Sequence, residues 1–101
     1  MWTLRANDET AGELTFRLLP NTIKTMGRAP RADFIVDAAL VSRVHCRFTL
    51  AENQLAVEDL GSTNGTFVNG QKITSAQVLT DGDRIKVGRV EFVAAPAIGN
   101  A

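Results

Sequence analysis

The residues with most chemistry to offer stand in three short stretches: Gly27-Arg28, Ser42-Arg43-Val44-His45 and Gly61-Ser62-Thr63-Asn64-Gly65. Together they bring two arginines, several hydroxyls, one side-chain amide and glycines that loosen the backbone. That mixture suits a phosphate dianion, because a guanidinium fork donates parallel charge-assisted hydrogen bonds while hydroxyls and free backbone amides complete the shell. Taken singly, each piece is ordinary. Arg28 is a surface arginine after a turn glycine, Ser42 a turn hydroxyl bonding its own backbone, and Asn64-Gly65 a common turn. Ser42, His45 and Asp59 are also the residue types of a hydrolytic triad. However, Ser42 and His45 are only three positions apart at the entry to a strand, and no Gly-x-Ser-x-Gly elbow is present. One histidine and one cysteine, Cys46, make a poor metal site, so neither a metal nor a cofactor is expected.

The elements that must position these residues read as strands. Trp2 and Leu4 open the chain, and Leu14, Phe16 and Leu18 then alternate with Thr15 and Arg17 before Pro20-Asn21. A strand over Thr22 to Met26 ends at Gly27, and Phe34-Ile35-Val36 is short and apolar. Val44, Cys46, Phe48 and Leu50 alternate, with Leu55 and Val57 answering across a turn at Glu52-Asn53. This places the ring of His45 on the face opposite Val44 and Cys46, near the loops, in a supporting role. Cys46 and Trp2 read as core residues. Asn69-Gly70 joins Thr66-Phe67-Val68 to Gln71-Lys72-Ile73 as a hairpin, Asp81-Gly82 is a second turn, and Arg84 to Val87 pairs with Val90 to Val93. No helical stripe and no repeat is visible, which predicts an all-β sandwich or barrel. Asp59 and Gly61 read as loop scaffolding, through a short carboxylate and a permissive backbone.

The chain is 101 residues with 45% hydrophobic content, enough for one domain and one core. Ala94 to Ala101 has little to pack, so a single domain is expected over 1–95, with 96–101 a flexible tail or the start of a linker. No apolar stretch reaches the roughly 18 residues of a membrane span, and the first residues lack the layout of a secretory signal, which reads as a cytoplasmic, monomeric domain. Eleven basic and eleven acidic residues cancel, which argues against a nucleic-acid or membrane partner. The distribution is uneven. Between Lys24 and Arg47, five basic residues face only Asp33 and Asp37, leaving room for a local anion site.

In order and spacing, Gly27-Arg28, Ser42-Arg43-Val44-His45 and Gly61-Ser62-Thr63-Asn64-Gly65-Thr66, with Asn69-Gly70, resemble the signature of the forkhead-associated (FHA) domain family over roughly Glu13 to Val93. The resemblance implies a β-sandwich of two mainly antiparallel sheets with ligand loops at one end. It implies a non-enzymatic module that binds phosphothreonine in a partner protein, the product of a Ser/Thr kinase, through an arginine-based phosphate site. Carried onto this sequence, Arg28 contacts the phosphate, Ser42 gives it hydroxyl and amide, and Arg43 adds a second charge. Thr63 lies beside the phosphothreonine and Asn64 holds the ligand backbone. Gly27, His45, Asp59, Gly61, Ser62, Gly65, Asn69 and Gly70 shape the loops that present them. Leu40-Val41, just before Ser42, then suggests an apolar preference three residues past the phosphothreonine. The rival function is a phosphate-independent interaction scaffold using another face of the same sandwich.

Overall fold

The computed structural model describes residues 1–9 and 12–97. Among them there are eleven strands and no helix: β1 (Trp2–Asp8), β2 (Gly12–Leu18), β3 (Thr22–Gly27), β4 (Phe34–Ile35), β5 (Cys46–Ala51), β6 (Gln54–Asp59), β7 (Thr66–Val68), β8 (Gln71–Lys72), β9 (Gln77–Leu79), β10 (Arg84–Val87) and β11 (Val90–Pro96). They form a six-stranded sheet in the order β2-β1-β11-β10-β7-β8 and a five-stranded sheet in the order β4-β3-β5-β6-β9. The assigned ladders are antiparallel except β3 with β4, so the chain is an all-β sandwich of two mainly antiparallel sheets.

The period-2 patterns dictate which side chains fill the space between the sheets. From the first sheet come Leu4, Leu18, Ile85, Val87 and Phe92; from the second come Met26, Cys46, Phe48, Leu50, Leu55 and Val57, all essentially inaccessible. The Phe16 and Phe34 rings stack with centroids 4.6 Å apart, pinning β2 on β4 across the sandwich. Trp2 is buried, as its position in the pattern requires.

Several boundaries differ from the sequence reading. Val44 lies in a loop and is only half-buried, β5 starting at Cys46. The final strand continues past Val93 to Pro96, because β1 supplies partners: Leu4 opposite Ala94 and Trp2 opposite Pro96. Ala94 is therefore core, contrary to its assignment to a loose tail; 98–101 lie outside the described residues. The strand β9, which completes the second sheet by pairing with β6, gave no clear alternating signal of its own.

At the end of β3 the chain passes so close to the loop before β5 that only glycine fits. A Cβ on Gly27 would lie 2.1 Å from the carbonyl oxygen of Arg43 and 2.9 Å from Cα of Val44, both backbone atoms with nowhere to go. Gly27→Ala must push the two segments apart, and we expect a loss of about 2–3 kcal/mol, the upper part of the usual overpacking range. A thermal melt reads this as a drop of roughly 8–24 °C for a domain of this size. An unshifted melt would mean the two segments are not in contact.

Candidate functional site

Three loops meet at one end of the sandwich: 28–33 after β3, 36–45 between β4 and β5, and 60–65 between β6 and β7. Backbone bonds zip the first two together. The Arg28 amide donates to the Ser42 carbonyl at 2.9 Å, the Ala29 amide to the Arg43 carbonyl at 3.0 Å and the Val36 amide to the Gly27 carbonyl at 2.8 Å. Nε of Arg28 donates to the Val41 carbonyl at 3.1 Å, which ties the side chain to the second loop. Arg28 and Arg43 are exposed, and neither has an ion-pair partner among the described residues.

His45 joins the second loop to the third. It is fully buried, and its Nδ1 accepts the Ser42 amide at 3.0 Å while Nε2 lies 2.8 Å from the Gly65 carbonyl. An amide can only donate and a carbonyl can only accept, so the ring is fixed as the neutral Nε2–H form. Two further bonds cross between the same loops: the Thr63 amide donates to Oγ of Ser42 at 3.0 Å and Nδ2 of Asn64 to the Leu40 carbonyl at 3.1 Å. The structure thus brings Arg28, Ser42, Arg43, Thr63 and Asn64 to one end. One detail of the sequence reading changes. The Ser42 amide is already committed to His45, leaving the Ser42 hydroxyl proton, and not the amide, for a ligand.

Asp59 organises the third loop. Its Oδ2 accepts the amides of Gly61 and Ser62, each at 3.0 Å, and its Oδ1 accepts the hydroxyls of Ser62 and Thr66. Oγ of Ser62 in turn accepts the Gly65 amide at 2.8 Å. Gly61 and Gly65 hold φ of +75° and +87°, which glycine adopts without penalty. Partial burial pushes the Asp59 carboxyl up, but the hydroxyls of Ser62 and Thr66 and the Ser62 amide outweigh it, so it sits below the usual carboxylate range. Asn69 and Gly70 lie elsewhere. Asn69 bonds Asp83 and the Arg84 amide, a clip between two turns at the start of the β7–β8 hairpin and not a part of the loop cluster. One more correction concerns the 36–45 loop. Val41 is core, packed toward Gly88, so of the pair Leu40-Val41 only Leu40 is exposed. Cys46 is buried, with burial and the nearby Asp59 carboxylate pushing its thiol up, so it remains a neutral packing group.

The triad alternative does not survive this geometry. His45 faces the Ser42 amide instead of its hydroxyl, and its other nitrogen is held by Gly65, so it has no free lone pair to take a proton from Oγ. A residue that the sequence reading placed only in a hairpin strand lies beside the loop cluster. The Lys72 side chain runs along Gly65, where a Cβ would meet its Cε at 2.8 Å and its Cδ at 3.3 Å. Only the placement of β8 beside β7 reveals this; a lysine two residues after Asn-Gly carries no sequence signal.

Two outcomes follow. In a nitrogen-15 NMR spectrum at neutral pH, His45 should show a protonated Nε2 and a bare, hydrogen-bonded Nδ1; the opposite tautomer would break the loop bridge described above. For Asp59, the sign is that of a depressed carboxyl: its contribution is present above the unfolded value of about 3.9 and is lost as pH falls through the lower folded value. Asp59→Asn should therefore lower the melt at pH 7, with a stability loss of about 1–3 kcal/mol for lost bonds to a charged acceptor. The gap from wild type should narrow below pH 3.

Comparison with known proteins bears on all of this. The FHA domain family model matches residues 24–88. The chain is 42% identical over 76 residues to the glycogen accumulation regulator GarA of Mycobacterium tuberculosis, covering 75% of this chain and 46% of that protein. It is 43% identical over 82 residues to the oxoglutarate dehydrogenase inhibitor of Corynebacterium glutamicum, covering 79% of this chain and 57% of that one. The chain thus spans about half the length of these curated relatives. Among solved structures, the FHA domain of CT664 from Chlamydia trachomatis superposes with a TM-score of 0.88 at 25% identity, covering 96% of this chain and 98% of that one. The FhaA FHA domain, solved with the intracellular domain of Rv3910, superposes with a TM-score of 0.81 at 32% identity, covering 93% and 99%. Sequence match, fold and loop geometry coincide over the same residues: the chain belongs to the FHA domain family.

Proposed function

We propose that this domain is a non-catalytic reader of phosphothreonine in a partner protein, with the phosphate held by Arg28, Ser42 and Arg43. The observation that carries the reading is the pair of exposed guanidinium groups with no acidic partner among the described residues, flanking a hydroxyl whose own amide is tied back into the protein. Nothing in the packing of the sandwich requires two uncompensated arginines at the tips of adjoining loops. A phosphate of nearly two negative charges supplies the missing countercharge. Thr63 and Asn64 stand on the neighbouring loop, where Thr63 borders the modified residue. Asn64 retains a side-chain carbonyl and a second amide proton for the ligand's main chain. Gly27, His45, Asp59, Gly61, Ser62 and Gly65 hold the loops and make no contact with the phosphate.

Known relatives point the same way. A structural neighbour, EmbR of Mycobacterium tuberculosis, was solved in complex with a low-affinity phosphopeptide; it is 29% identical and superposes with a TM-score of 0.81, covering 98% of this chain and 26% of that one. Named relatives include a regulator and an enzyme inhibitor, so we place the domain in the cytoplasm as a regulatory binding module. Its ligand would be the product of a Ser/Thr kinase.

Calorimetric titration of a phosphothreonine peptide and its unphosphorylated twin tests the reading. Only the phosphorylated peptide should bind, and its affinity should fall as pH drops below the phosphate's second pKa of about 6. Arg28→Ala and Ser42→Ala should each cost about 1.5–3 kcal/mol of binding, the range for hydrogen bonds to a charged group, with little change in the melt for Arg28→Ala and a modest drop for Ser42→Ala, which also removes the acceptor of the Thr63 amide. Equal affinity for the twin peptides would remove the phospho-reader function and favour the phosphate-independent scaffold.

A further inference from the structure

Lys72 is the last residue of β8, an edge strand whose cross-strand neighbour is Phe67. Its stem occupies the space a side chain at position 65 would need: a Cβ on Gly65 would lie 2.8, 3.3 and 3.4 Å from Cε, Cδ and Cγ. Three methylenes thus lie along the backbone immediately after Asn64, on a glycine whose carbonyl is bound by His45. The ammonium is one bond further on. Lys72 is exposed and has no ion pair among the described residues. The nearest acid of the loop, Asp59, is turned inward onto Gly61, Ser62 and Thr66. Lys86, the other cation beside Phe67, faces Glu91 across its ladder, whereas Lys72 faces only the ring.

Resting on the phosphothreonine reading, we propose that Lys72 is a specificity-determining residue which selects ligands carrying an aspartate or glutamate close to the phosphothreonine. Ser42 meets the third loop at the Thr63 amide, whereas Lys72 meets it two residues on at Gly65, so Lys72 is displaced from the Ser42 donor along the line of the loop. An extended ligand held at Asn64 advances about 3.3 Å per residue, which carries a side chain one to three residues from the phosphothreonine over Gly65. Gly65 is needed there for more than its positive φ, since any side chain would displace the lysine stem.

The test uses phosphothreonine peptides with Asp, Asn or Lys placed in turn at each of the three positions before and after the phosphothreonine. Each is titrated against wild type, Lys72→Met, which keeps the apolar stem, and Lys72→Glu. Wild type should favour Asp over Asn about two- to fivefold at one position, the scale of an exposed ion pair. Lys72→Met should erase that preference, and Lys72→Glu should turn it into a preference for Lys at the same position. A wild type that never discriminates Asp from Asn, or a Lys72→Met variant that still does, overturns the proposal and leaves the lysine as a cover for the sheet edge. Failure to tell phosphorylated from unphosphorylated peptides would overturn the phosphothreonine reading, and the Lys72 proposal with it.

Discussion

A buried imidazole with both nitrogens committed is the interaction on which the loop end of this molecule depends. His45 enters from the start of β5, accepts from Ser42 three residues before it and donates to Gly65 on a loop twenty residues away. Its own amide and carbonyl reach Met26 and Leu60. One residue therefore registers the end of β3, the loop before β5 and the loop after β6 against one another. A buried ring with one unmatched nitrogen would carry a desolvation cost, so the two loops are held at the separation that satisfies both. Because the ring must accept on one side and donate on the other, the bridge is directional, and neither arginine, lysine nor glutamine reproduces it at this size.

Backbone groups that a loop would ordinarily offer to a ligand are largely used internally. The amides of Arg28, Ala29, Ser42, Thr63 and Gly65 all have protein acceptors. What is left facing outward is side-chain chemistry: two guanidinium groups, a serine hydroxyl, a threonine and an asparagine. The arrangement separates support from recognition. Gly27 and Asp59 determine where the loops run, and substitution there reaches the ligand only through geometry.

The sequence carried the sandwich well, for physical reasons that differ by residue, whereas the clustering of the loops followed only from the family resemblance. The Asn69-Gly70 hairpin was readable because turn chemistry is local, with both residues at positive φ. Cys46, Phe48 and Leu50 were readable because one alternating strand buries one face. Ala94 to Pro96 were not, since alanine and proline look weak alone and become a strand only because β1 lies alongside. The use of the Ser42 amide was hidden for a similar reason: its acceptor is a side chain whose orientation depends on Gly65. Lys72 was invisible because two residues of β8 fold back over a glycine that precedes them by seven positions. What escaped the sequence is what depends on cross-loop contact.

Charge placement follows from the same division. Net charge is zero, yet three of the acidic residues are consumed in clipping turns. Asp33 accepts from the Thr25 amide and hydroxyl, Asp59 from the 61–66 loop, and Asp83 from Asn69 and Thr80. All three carboxyls sit below their ordinary range. The Thr25 amide leads for Asp33 and the Asn69 side chain for Asp83, while for Asp59 the hydroxyls of Ser62 and Thr66 overcome burial. Each carboxylate keeps its negative charge but directs it onto backbone and hydroxyl donors, so none of the three pairs with Arg28, Arg43 or Lys72, which have no ion-pair partner among the described residues. The aspartates that hold the turns are in this way kept off the cations, and the guanidinium and ammonium groups stay available at the loop end.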